Sequence, residues 1–198
     1  LAWVLAGVYL GLQIRTKTRV LGAFVSPVTF LFMIAASYGI AGRVEISPIL
    51  QGGLVPVHVG LSVAGEALFA LASLAGAMYL LQNRSIKHKK LTSFTTFLPS
   101  LKELDRINHI CLLLGFSLLT LGVLVGSIWA RTAWGSHWQW DPKQIWTMLV
   151  WVIYAALLHQ RLAIGWKGQK AALFSLLAFL VFLVSFCIVT LFFKTVHN

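Results

Sequence analysis

The residues most able to do chemistry lie in one run, Trp134-Gly135-Ser136-His137-Trp138-Gln139-Trp140-Asp141-Pro142-Lys143-Gln144-Ile145-Trp146, which packs four tryptophans, a histidine, an aspartate and a lysine together. Long apolar segments flank it on both sides, so it belongs at a membrane–water boundary. A surface of this kind is flat, aromatic and amphipathic, suited to holding a large planar ligand against a bilayer. An ordinary aromatic belt spreads Trp over several helix ends. Concentration in a single loop that closes on Asp-Pro marks a site.

Asp141-Pro142-Lys143-Gln144 also reads as a helix start. Asp is a preferred N-cap, Pro suits the first helical position, and Gln three residues past the cap completes a capping box. The free N–H groups and positive dipole end of that helix favour an anion such as a carboxylate, with Lys143 beside it. A planar apolar ligand bearing carboxylates describes haem; spacing alone leaves quinones as candidates too.

The elements that must position this run are membrane helices. The chain has 198 residues, 59% of them hydrophobic and 11% charged, with a mean hydropathy of +0.84. A soluble domain has nowhere to put that much apolar surface. Six apolar segments are readable, at about 1–13, 20–41, 57–82, 108–131, 143–164 and 170–193, predicting an all-α, polytopic bundle of about six transmembrane helices in a single domain over 1–198. The opening Leu1, already inside an apolar run, suggests a longer parent protein. The formal charge of +11 would suggest nucleic acid in a soluble protein, but here the basic residues sit in short loops, where they set topology and meet anionic lipid. No nucleic-acid partner is expected. Arg15, Lys17 and Arg19 join the first two segments. Arg84, Lys87, Lys89, Lys90, Lys102 and Arg106 fill the loop from 83 to 108, where Leu101 to Arg106 reads as an interfacial helical turn. Arg161, Lys167 and Lys170 follow the fifth segment. The positive-inside rule puts these three loops in the cytoplasm, and the Trp-rich loop, the 42–56 loop and the C-terminus on the outer face. Cys111 and Cys187 lie inside apolar segments without CxxC or zinc spacing and read as small buried side chains.

The WGxxWxWDPK string, continued by Trp146, Trp151, Tyr154 and Leu158-His159, resembles the tryptophan-rich (WWD) haem-handling domain of the CcsA/CcmC family, on the CcsA and HemX-like branch of cytochrome c biogenesis system II. Leu119-Thr120-Leu121-Gly122 and Gly126 before the motif, Gly165-Trp166-Lys167-Gly168 after it and Val57-His58-Val59 at the head of the third segment agree. The likeness spans essentially the whole chain. It implies haem b (iron protoporphyrin IX) as the bound group, taken up from the inner side of a bacterial-type cytoplasmic membrane and presented at the outer face. It further implies a CcsB-like partner subunit and an apocytochrome c bearing CxxCH, whose cysteines form thioether bonds with the haem vinyl groups. On that reading the protein works by positioning and supplies no catalytic nucleophile, so whether it counts as part of a haem lyase or as a haem transporter stays open. The rival reading is a HemX-like membrane protein that binds or moves haem and influences tetrapyrrole synthesis without covalent attachment.

The six histidines sort by depth. The resemblance makes His58 and His197 the axial ligands of an outer haem; taken alone, each could be an interfacial histidine bonding lipid or backbone. His159 follows Asp141 by 18 residues, about 27 Å of helix, too far to share that iron. The family carries an inner, entry-side ligand there, whereas the residue alone reads also as a helix-end histidine complementing the dipole. His109 lies at a comparable inner depth and is a second inner candidate. His137, where relatives more often have an aromatic, reads as an edge contact in the haem-contacting loop with Trp134, Gly135, Trp138, Trp140, Asp141, Pro142, Lys143 and Trp146. His88 is solvated among lysines. Glu66, two turns below His58, could orient a ligand, relay a proton or form an interhelical bond. Arg131 could meet a haem propionate or snorkel to headgroups. Gly115, Gly122 and Gly126, with Ser117 and Thr120, read as tight helix packing alone.

Overall fold

The computed structural model describes residues 1–16, 20–39, 52–89 and 97–192. Six α-helices follow one another: α1 (Ala2–Thr16), α2 (Val20–Gly39), α3 (Leu54–Lys87), α4 (Leu101–Trp134), α5 (Pro142–Leu162) and α6 (Gln169–Phe192). No strand occurs among the described residues. Helices α3, α4, α5 and α6 are each long and apolar enough to cross a membrane, while α1 and α2 contribute shorter apolar stretches. The protein is a multi-pass helical membrane protein.

Small residues set the packing. Helix α3 is the hub, lying most extensively against α4 and next against α6. A Cβ at Gly65 would stand 2.9 Å from the Gly115 carbonyl, and one at Gly76 would stand 2.8 Å from the Ala172 carbonyl. The missing methyl groups therefore let α3 approach the backbones of both neighbours. The register is antiparallel: Gly65 meets Gly115 and Leu119, Ser62 meets Gly122, and His58 meets Gly126, so each turn down α3 is a turn up α4. Helix α5 joins through the stacked rings of Tyr154 and Phe69, 3.6 Å apart and within 6° of parallel, and through Trp151, whose indole N–H donates to Thr120 Oγ1 at 2.9 Å.

This alternation gathers the start of α3, the end of α4, the Trp-rich loop and the start of α5 at one end, the loop end. The opposite, basic end holds Arg84, Lys87, Lys102, Arg106, Arg161, Lys167 and Lys170. Here the helices are longer than hydropathy suggested. Both α3 and α4 have 34 residues, about 51 Å at 1.5 Å per residue against about 30 Å of hydrocarbon. Arg84 and Lys87 ride on the last turns of α3. Leu101 to Arg106, expected as a separate interfacial turn, opens α4 without a break. The cause is local: Ser100 caps α4, accepting from the Glu103 N–H at 3.2 Å, directly after Pro99.

A buried polar network ties the basic end together. The Arg161 side chain, 3% exposed, donates to Asn108 Oδ1 at 2.7 Å, to Asp105 Oδ1 at 3.0 Å and to His109 Nδ1 at 3.2 Å. Asn108 in turn donates to the Ala72 carbonyl and to Ser175 Oγ, each at 2.7 Å. Asp105 also accepts from the Gly168 N–H. Four helices thus meet around one ion pair, buried on the arginine side and half-buried on the aspartate side, with all three Arg161 nitrogens hydrogen-bonded, which is what lets its charge be buried.

Candidate haem-binding cavity

At the loop end a cavity of about 400 Å³ opens between α3, α4, α5 and α6 under the Trp-rich loop. His58, Ser62 and Glu66, each one turn apart on α3, form one wall; Phe69 and Leu119 lie deepest. Trp129 and Trp134 from α4, His137 and Trp138 from the loop, Lys143 and Trp146 from α5, and Phe182 from α6 close the rest.

His58 is held on two sides. Its Nδ1 lies 2.7 Å from the Gly122 carbonyl oxygen. A carbonyl only accepts, so Nδ1 carries a proton, and in the neutral ring the lone pair is then on Nε2. The imidazole sits directly over Gly126, where a Cβ would come within 2.6 Å of both Nδ1 and Cε1. Gly122 and Gly126, which sequence pattern assigned to packing alone, also form the seat of this ring. An imidazole anchored through one nitrogen to a backbone carbonyl, with the other free, is the usual arrangement of a metal-ligating histidine.

The loop has its own logic. Gly135 ends α4 in the left-handed conformation, φ +75°, with its N–H on the Arg131 carbonyl at 2.9 Å. Asp141 then caps α5, accepting from the Lys143 N–H at 2.8 Å, with Pro142 in the first turn. The expected capping box closes differently: Gln144 Oε1 accepts from the Gln139 N–H at 2.9 Å rather than reaching the cap residue, so the side chain braces the loop. Trp140 takes φ +54° and is 77% exposed. That turn points its ring away from the cavity and sets it edge-on to Trp138, centroids 5.7 Å apart. His137 and Ser127 bond reciprocally: His137 Nδ1 donates to the Ser127 carbonyl at 3.1 Å, and Ser127 Oγ donates to the His137 carbonyl at 3.4 Å. The Trp138 indole N–H is buried and meets no acceptor among the described residues.

Of the residues singled out from sequence, the structure brings His58, Glu66, Trp134, His137, Trp138, Lys143 and Trp146 to one cavity. Gly135, Asp141 and Pro142 shape the loop, and Trp140 faces outward. Arg131 is exposed on the last turn of α4, away from the lining. At the basic end, His109 Nδ1 accepts from Arg161, so its lone pair on that nitrogen is engaged in the structural network. His159 lies exposed near the end of α5. His197 lies outside the described residues, as do Lys17 and Arg19, residues 42–51, Lys90 and the side chain of Cys187; helix α6 runs to the loop end as far as Phe192. Cys111 is buried. The lining also includes Trp129, set edge-on to Trp134 at 4.8 Å, and Ser127. Their signal was present: Gly122, Gly126 and Trp129 recur at helical spacing on one face of α4.

Residues 1–197 match the family described as Cytochrome C assembly protein. Among relatives, the cytochrome c biogenesis protein CcsA of Pyropia yezoensis is 29% identical over 237 residues, covering 100% of this chain and 74% of that protein. The protein of the same name from Chlamydomonas reinhardtii is 34% identical over 175 residues, covering 85% and 47%. That from Microcystis aeruginosa is 29% identical over 246 residues, covering 100% and 75%. With the match running along essentially the full sequence, this chain belongs to the cytochrome c assembly protein family.

Proposed function

We propose that the protein serves cytochrome c maturation by binding haem b in the loop-end cavity and presenting it at the outer face of the membrane for attachment to an apocytochrome. Haem is here the substrate, a flat apolar disc with two carboxylates on one edge and an iron with two axial positions. The single observation that carries the reading is His58. Its Nδ1–H on the Gly122 carbonyl leaves Nε2 as a neutral donor in an aromatic cavity. The remaining lining complements the rest of the group. Tryptophans supply flat apolar contact, and Lys143 with the Trp138 N–H, which meets no acceptor among the described residues, supplies what a carboxylate needs. Buried donors without acceptors cost about 1–3 kcal/mol, so a ligand that supplies the acceptor recovers that cost.

His197 is the second axial ligand of this site and His159 the entry-side ligand in our reading, both by likeness to the family. The lysines and arginines gathered at the basic end favour that end as cytoplasmic, which would put the cavity and the C-terminus outside. The lipid that meets the basic end, a CcsB-like partner and the single-domain organisation belong to the same reading. The relatives, named as cytochrome c biogenesis proteins, favour it over the tetrapyrrole-related alternative. Chemistry then rests on geometry: the protein holds iron and ring plane while the acceptor's thiols reach the vinyl groups.

The test compares haem with its dimethyl ester, which lacks the carboxylate charge, in wild-type protein and in Trp138→Phe combined with Lys143→Met. Haem should bind several-fold more tightly than the ester, and the double substitution should erase most of that preference. Equal binding of both porphyrins to wild type would refute the carboxylate assignment; absence of any Soret band after loading would refute haem binding altogether.

A further inference from the structure

His137 repeats the chemistry of His58. Each ring donates Nδ1–H to a main-chain carbonyl, of Gly122 and Ser127 respectively, and each lines the same cavity. The two carbonyls and Gly126 lie within six residues of one helix, so both imidazoles stand against the same stretch of α4. In both, the carbonyl forces the proton onto Nδ1 and leaves Nε2 with a lone pair. The mountings differ. His58 sits on a helix, closed in by Gly126, with a 2.7 Å bond; His137 sits on the loop, exposed, with a 3.1 Å bond.

We propose that His137 is an exchangeable axial ligand for haem iron in this cavity, competing with other imidazoles for the axial position that His58 leaves open. This rests on the haem reading above. With His58 on one axial position, any further imidazole must compete for the other. The exchange needs no redox partner and releases no proton: Nε2 donates its lone pair to iron while Nδ1–H stays on the Ser127 carbonyl. Its use is at handover. An acceptor that brings its own histidine needs one axial position vacated without the haem being lost. A loop histidine can leave by a small loop movement, whereas His58 is carried on α3 and held against α4. The same loop carries Trp138, so movement that frees the iron also loosens the carboxylate contact.

The experiment uses the full chain loaded with haem and reads the spin state of ferric iron by absorption and electron paramagnetic resonance. His197→Ala should remain largely six-coordinate and low-spin. His197→Ala combined with His137→Gln should turn high-spin, and added imidazole should restore the low-spin spectrum. Glutamine keeps a donor for the Ser127 carbonyl, so a loss of loop structure alone would not mimic this. Identical spectra for His197→Ala with and without His137→Gln would overturn the proposal. If His58→Ala leaves the wild-type spectrum unchanged, or wild type takes up no haem, the underlying site assignment fails instead, and the proposal with it.

Discussion

Gly126→Ala should loosen haem binding by displacing the His58 ring that is seated on it. The added Cβ would stand 2.6 Å from Nδ1 and Cε1 of His58, whereas ordinary contact begins at 3.4 Å. The ring must therefore retreat by about 0.8 Å, or the helices must part. Taken along its bond to the Gly122 carbonyl, that shift stretches 2.7 Å to about 3.5 Å, where a hydrogen bond is essentially lost. Loss of the partner that orients a metal-ligating histidine weakens binding about 10–100-fold, or about 1.4–2.7 kcal/mol. The assay is haem titration followed by absorption spectroscopy. Gly60→Ala is the control, two residues from His58 on the same helix with nothing within 4 Å of its Cβ position; its affinity should stay at wild type. A second arm separates ring displacement from general overpacking. In a His58→Gly background no ring is left to displace, so Gly126→Ala should then cost nothing further in affinity. Wild-type affinity and spectrum in Gly126→Ala, or an equal loss in both backgrounds, would refute the argument.

Two further outcomes test the scaffold. Asp141, 4% exposed and accepting from the Lys143 N–H, should act as a cap: Asp141→Ala loses about 1 kcal/mol of stability in detergent melting while Asp141→Asn stays within a few tenths, and equal damage from both would mean that the charge matters more than the cap. Arg161→Leu would strand Asp105 and Asn108 at the basic end and should cost about 3–5 kcal/mol; a loss below about 1 kcal/mol would show the network to be dispensable.

What was legible in the sequence follows from which interactions are local. Helix identity was readable because apolar runs of membrane length have no other stable use. The ends of α3 and α4 were not, since basic residues at 84–87 and 102–106 look like loop but can ride on helices that project past the hydrocarbon. The Asp141 cap and the Gly135 turn were readable from neighbouring residues. The partner of Gln144 was not, because it depends on where the loop brings Gln139. Trp140 belongs to the motif by spacing, yet its left-handed backbone turns it outward. His58 was identifiable as a ligand by likeness to a family, but its tautomer comes from a carbonyl 64 residues away. The same holds for Gly126: a helical glycine reads as close packing until the register shows which side chain occupies the space. His109 and Arg161 read as a possible ligand and a topology charge, and only the crossing of α4 with α5 makes them one network.

The most direct measurement is the iron ligation of the haem-loaded protein in His58→Gly, with and without added imidazole. The variant should lose most of its haem or its low-spin spectrum, and imidazole, entering the space between Gly122 and Gly126, should restore both. An unchanged spectrum in His58→Gly without imidazole would contradict iron ligation by His58.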